Sequence, residues 1–169
     1  MVSQVKVDKI LESTSSAGVH IPSHVIQTVT GTYNTAHTTN ETSYTDTNLS
    51  VTITPKYASS KILLLVQHYT LTYAPGTIPF TLFQLLRDST VLTTDIPNGM
   101  KADDHPSDNN AYKAHSFNLT YLDSPNSTSA ITYKTQAKHV GSGDGYVINA
   151  YAYSGTPAVE HLIAMEIAQ

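Results

Sequence analysis

The chain reads as an all-β protein: an antiparallel, jelly-roll-like β-sandwich with an extended N-terminal arm. Three observations predict this. Short runs of alternating apolar and polar residues recur along the chain, separated by turns rich in Pro, Gly, Asn and Ser. The aromatic content is almost all tyrosine, 11 Tyr against 3 Phe and no Trp, and Tyr with the abundant Thr favours strands. The chain ends in an apolar run, HLIAMEIAQ at 161–169, which reads as the strand that closes the sandwich.

Taken in order, residues 1–24 stand apart as an arm. Val5, Val7, Ile10 and Leu11 are its apolar positions, and the stretch at 18–22 breaks any helix with Gly and Pro. Val5 and Val7 share one face of an extended segment, which suits strand addition to a partner. The sandwich is expected over 25–169. VIQTVTGTY at 25–33 is β-rich, and 34–47 reads as an exposed connection or weak edge strand. In LSVTITP at 49–55, Leu49, Val51 and Ile53 face one way and Ser50, Thr52 and Thr54 the other. KILLLVQHYTLTY at 61–73 is apolar on both faces over its first half, which predicts a central strand. Residues 78–92 read as a strand pair about a turn at 87–90, and 95–113 as a long polar loop. Two alternating strands follow around DSPNSTS, then YVINAYAY at 146–153 and VEHLIAMEIA at 159–168. Eight to ten strands at this spacing argue for a sandwich or jelly roll over an α/β fold.

Composition narrows the function. Charged residues make up 13% of the chain, about half the usual share. A β domain so low in charge must hide its edges by closure or oligomerisation. The net charge is −4 with no basic stripe, which argues against a nucleic-acid partner. No run approaches the length of a membrane span, so no membrane insertion is expected. The N-terminus lacks the apolar core of a signal peptide, and with no cysteine the fold can mature in a reducing cytoplasm. Sequons at Asn40, Asn48, Asn118 and Asn126 read as by-products of the Ser and Thr content.

The order of segments resembles a known family. VIQTV (25–29), LSVTITPKYASSKILLLV (49–66), FNLTYLDSPNSTSAITYK (117–134) and IAMEIAQ (163–169) are similar to the C-terminal β-sandwich domain of bacteriophage tail-fibre and virion appendage proteins, of the marine and cyanobacterial phage type. The strand plan also resembles the C1q/TNF-type jelly roll, a fold that trimerises. The resemblance implies a homotrimer located in the virion and made in the host cytoplasm. It further implies that the arm, with Val5, Val7, Ile10 and Leu11, meets other virion proteins. The implied role is a short tail fibre or fibre tip for host attachment. A head decoration or cement protein is the alternative, and a cellular carbohydrate-binding module a third.

Catalytic motifs are missing. There is no G-x-S-x-G, no phosphate loop and no H-E-x-x-H, and Glu12, Glu41, Glu160 and Glu166 are the only glutamates. Glu166 reads as lying on a strand face rather than in a cleft. The chain is therefore expected to be no enzyme. The eight histidines lack zinc spacing on a helix; His20 and His24 sit four apart but in an extended, Pro-containing segment. Asp103, Asp104, Asp108 and Asp144 do not follow a calcium-loop spacing. No metal and no cofactor are expected. The candidate receptor-reading residues lie in two loops: Asp103, Asp104, His105, Asp108, Asn109, Asn110 and Tyr112 in one, Asp144 and Tyr146 in the other. Their carboxylates, amides and tyrosine faces suit a host-surface glycan or protein. A plain solvated loop is the competing reading.

Overall fold

The computed structural model describes residues 23–73, 80–98, 112–140, 146–149 and 158–169. It is all-β. The strands are β1 (Val25–Tyr33), β2 (His37–Thr39), β3 (Thr45–Ile53), β4 (Lys61–Tyr73), β5 (Phe80–Arg87), β6 (Thr90–Asn98), β7 (Tyr112–Asp123), β8 (Ile131–Val140), β9 (Tyr146–Asn149) and β10 (Glu160–Ile167). They form two antiparallel sheets. In the second sheet the order is β3-β8-β5-β6. The first is built on β4. One side of β4 pairs with β7 along residues 62–73. The other side pairs first with β10, from Lys61 to Gln67, and then with β9, from Thr70 to Tyr73. β10 pairs β1 and β9 pairs β2, so each of the two lines on that side of β4 runs in two pieces.

The chain crosses between sheets at nearly every long connection. β1–β2, β9–β10 and β5–β6 stay within one sheet, the last as a hairpin about Asp88 and Ser89. Asp88 adopts a left-handed φ of 52°, which Asp tolerates, and its carboxylate accepts the Thr132 N–H at 2.9 Å. β7 and β8 are consecutive but do not pair; residues 124–130 carry the chain from the first sheet to the second.

Period-2 alternation becomes burial. Leu49, Val51 and Ile53 of β3 face Ile62, Leu64 and Val66 of β4, with Phe83, Leu85, Ile131, Tyr133 and Leu162 completing the core. Each such side chain contributes roughly 1.5–3 kcal/mol when fully buried. The central position expected for 61–73 is found. Its second apolar face is not covered by another layer among the described residues, however: Leu63 and Leu65 stay half-exposed.

Two segments differ from the sequence reading. Residues 95–98, read as loop, continue β6; Pro97 fits because β6 is an edge strand, where a missing N–H breaks no central ladder. Within 34–47, β2 is the weak edge strand that the reading allowed, but β3 begins earlier than read, at Thr45. Residues 1–22, including Val5, Val7, Ile10 and Leu11, lie outside the described residues, as do 150–153 of the segment read as 146–153.

One edge of the sandwich closes by backbone contact. β1 and β3 belong to different sheets and meet at Gly31, where an added Cβ would sit 1.8 Å from the Ser50 carbonyl oxygen. Backbone cannot yield there as a flexible side chain can. Gly31→Val is therefore expected to cost roughly 2–4 kcal/mol, read as a lowered urea midpoint; an unchanged midpoint would contradict this closure.

Candidate functional site

The loops that held the receptor candidates leave the sandwich at one end. Residues 74–79, 99–111 and 141–145 connect strands there, 150–157 follow β9 from opposite Thr70 further along β4, and all four stretches lie outside the described residues. Asp103, Asp104, His105, Asp108, Asn109, Asn110 and Asp144 fall within them. Tyr112 and Tyr146 do not: they open β7 and β9, and both stand opposite Tyr73 of β4. Three tyrosine positions thus form one cross-strand row at the loop end. Sequence reasoning named two of them; Tyr73 was missed because only the register brings it between the others.

The interior at this end is polar. His68 of β4 and Glu160 of β10 are both 0% exposed, with Nδ1 and Oε1 3.0 Å apart. The same oxygen accepts the Tyr69 N–H at 3.2 Å. The other ring nitrogen lies 2.9 Å from Thr135 Oγ1 on the opposite sheet, and Thr135 Oγ1 lies 2.6 Å from Thr47 Oγ1. Nδ1 faces the Glu160 carboxylate, and the donor and acceptor roles between Nε2 and the Thr135 hydroxyl follow the tautomer. The His68 ring stacks on Phe83 at 4.8 Å, and Phe83 on Phe117 at 4.8 Å. Carboxylate, imidazole and hydroxyl stand in the order of a nucleophile relay. The hydroxyls of this chain are sealed between the sheets, however, so the chain bridges the two layers rather than meeting solvent.

Other buried groups close the opposite end. Asp123 takes the Arg87 Nη1 donor at 3.0 and 2.9 Å and the Tyr133 hydroxyl at 2.7 Å. Burial and the Asp123 carboxylate push the Tyr133 hydroxyl well above its usual pKa. Glu166 lies on a strand face, as read from the sequence, but on the inner one. It is 0% exposed, and accepts the N–H groups of Lys56 and Tyr57 at 2.8 and 3.2 Å and Gln27 Nε2 at 2.6 Å. The carboxylate fastens the loop before β4, which explains why a glutamate can be buried there.

The outer faces of the two sheets differ. On the β3-β8-β5-β6 sheet, polar side chains satisfy one another. Lys134 and Gln136 donate to Asp46 at 2.9 and 2.7 Å. Partial burial works against the Asp46 charge, yet these two partners hold its carboxyl below the usual range. Lys138 sits 4.4 Å from the centre of the Tyr44 ring and 3.0 Å from Asp95, and Tyr44 donates to Asp95 at 2.9 Å. Lys138 and then Tyr44 lower the Asp95 pKa.

The β1-β10-β4-β7 sheet presents the opposite character. Its outward positions form cross-strand rows: Thr28, Met165, Leu63, Leu122; then Thr30, Ile163, Leu65, Thr120; then Thr32, His161, Gln67, Asn118. None of these side chains is acidic. In β10 the phase is inverted relative to hydrophobicity. Glu160, Leu162, Ala164 and Glu166 point in, while His161, Ile163, Met165 and Ile167 point out. Among the described residues, no group of three or more His, Cys, Asp or Glu is placed to hold a metal ion.

No family model matches the chain, and no curated protein does. Among solved structures it is similar to part of dimeric latent PorU from Porphyromonas gingivalis, at 8% identity and a TM-score of 0.34, over 93% of this chain and 14% of that one. It is also similar to a chain of the infectious bursal disease virus Gx strain, at 14% identity and 0.32, over 98% and 42%. The Gt strain of that virus gives 13% and 0.31, over 99% and 43%. This chain spans less than half the length of each. Likeness at this level says nothing about ligand, partner or activity.

Two predictions follow from the interior. His68→Leu leaves Glu160 buried beside an apolar group and is expected to cost about 3–5 kcal/mol, against about 1–2 kcal/mol for Thr135→Val; urea unfolding of both variants measures the contrast. His139 is buried, and burial holds its imidazole below the usual pKa. The unfolded chain takes up this proton near pH 6.5, the folded chain only at lower pH. Stability is therefore expected to fall as pH drops below about 6.5, until the folded ring also protonates. His139→Gln should flatten the loss between pH 7.5 and 5.5 in the same unfolding assay.

Proposed function

We propose that the chain is a structural protein of a bacteriophage virion, a homotrimeric tail-fibre or fibre-tip protein that attaches the particle to the host surface. The observation that carries the oligomer is the inverted phase of β10. Two glutamates are buried inward while Ile163, Met165 and Ile167 face out beside Leu63, Leu65 and Leu122. The inward carboxylates are held by hydrogen bonds, but a contiguous, only partly buried aliphatic outer face favours being covered. Copies of the same chain suit that face. Lys61 is its one Lys, Arg, Asp or Glu pointing outward among the described side chains, so identical faces meeting about an axis bring almost no like charges together.

The number three and the virion setting rest on the resemblance carried by residues 25–29, 49–66, 117–134 and 163–169. In this reading the protein is non-catalytic, holds no cofactor, and contacts neither nucleic acid nor membrane interior. The loop end, with Tyr73, Tyr112 and Tyr146 in one row, meets a host glycan or protein. Residues 1–24 reach neighbouring proteins of the particle.

Light scattering on the purified chain, with cell adsorption scored on the same sample, tests this. A trimer that adsorbs to host cells is expected. Leu65→Asp and Ile163→Asp should each lower the mass to that of a monomer while leaving the far-UV strand signal intact. A wild-type monomer would sink the reading, and a trimer that binds capsids but not cells would replace it with the decoration role.

A further inference from the structure

Four strands of some length form the rims of the sandwich, and three of them are protected against further pairing. β1 carries a register shift between Val25 and Gln27 and closes on β3 at Gly31. β3 carries a shift between Asp46 and Ser50, with Asn48 at a left-handed φ of 67°. β6 carries two shifts, a left-handed Asp95 and Pro97. Bulges, proline and strand closure are the usual means by which edges refuse a new partner.

β7 has none of them. Its twelve residues run in unbroken register with β4, from Tyr112 opposite Tyr73 to Asp123 opposite Ile62. The strand contains neither Pro nor Gly, and among the described residues β4 is its only partner. Its other side therefore offers a row of open backbone donors and acceptors. Beside that row, Leu119 and Tyr121 are only partly buried against the core, and Leu122 is 51% exposed.

We infer that the free edge of β7 accepts an extended strand from the N-terminal segment of a second copy, centred on Val5 and Val7. The inference rests on the homo-oligomer proposed above and identifies the neighbour that residues 1–24 reach. Three features select this occupant. The described chain begins at the right place: Ser23 N–H donates to Ala168 O at 2.9 Å, at the end of the first sheet where β10 and β7 both finish. The segment is long enough, since the eleven residues between Leu11 and Ser23 span up to roughly 36–40 Å when extended, against a sheet about 19 Å wide. The chemistry also matches. SQVKVD alternates, so Val5 and Val7 fall on one face to cover Leu119 and Tyr121, and Gln4, Lys6 and Asp8 fall on the other.

Area argues the same way. The outer face from Lys61 to Tyr69 is about 27 Å by 19 Å, or roughly 500 Å², while a stable interface buries about 800 Å² on each partner. Face packing alone falls short, and an exchanged strand adds the missing contact together with a new ladder of hydrogen bonds.

The absence of native cysteine allows a direct test. The full-length Val7→Cys/Tyr121→Cys double variant is oxidised and run on a non-reducing gel, with each single variant as control. Covalent dimers and trimers beyond those of the single variants are expected. Hydrogen exchange supplies the second readout: β7 amides should be protected in the wild-type chain and exchange at least tenfold faster in Val5→Asp/Val7→Asp, with β4 amides unchanged. A fast-migrating monomer cross-linked within one chain would overturn the exchange between copies. An oligomer with neither cross-link nor β7 protection would overturn the inference while leaving the oligomer reading in place. A monomer by light scattering would overturn both.

Discussion

The structure depends on the ladder of β4. A thirteen-residue strand with one unbroken partner on one side and two shorter partners in line on the other fixes the register of the whole first sheet. Register matters because a slip of one residue would exchange Ile62, Leu64 and Val66 for Leu63, Leu65 and Gln67 on the inner face. Both faces carry leucines, so hydrophobicity alone would weakly resist that slip. His68 resists it more strongly. Only one register sets its ring beside Glu160, beneath Phe83 and against Thr135 of the other sheet. A polar contact inside the core thus selects between two nearly equivalent apolar arrangements.

The polar contacts of the interior are distributed by layer and by end. At one end Asp123 and Glu166 fasten the loop before β4 and the strand pair of Arg87 and Tyr133. In the middle the core is aliphatic. Toward the loop end it becomes threonine and histidine, with Thr47, His68, Thr70, Thr81, Thr135 and His139 all buried. The Thr47 hydroxyl bonds the Thr135 carbonyl at 3.1 Å, whereas Thr81 Oγ1 and His139 Nε2 are buried with no hydrogen-bond partner among the described residues.

Much of this fold was legible in the sequence. Alternation placed 49–53 and the strands on either side of DSPNSTS, β-rich composition placed 25–33, and the apolar run at the start of 61–73 placed β4 in the centre. The pairing of strands across layers was not legible. β7 and β8 look like a hairpin about a Pro- and Asn-rich turn, yet the turn carries the chain between sheets, and nothing local distinguishes the two outcomes. β10 could be recognised as a strand but not oriented, because its more apolar face is the outer one. The signal was present in the two glutamates six residues apart, which share a face in a strand and are both buried here. Of the candidate site, loop composition singled out Tyr112 and Tyr146 in two separate loops, and the register with Tyr73 is what unites them.

The break between β9 and β10 has a consequence for how this molecule can change. Asn149 pairs with Thr70 and His161 with Gln67, so both pieces are anchored on β4 independently of the ten residues between them. Lengthening or replacing that stretch shifts neither register, and loop closure becomes only slowly costlier with length. The segment leaves the ladder between Thr70 and Gln67 of β4, a few rungs from the loop end. The sandwich is thereby a fixed frame with an exchangeable panel, able to acquire new surface chemistry in one step without renegotiating its core.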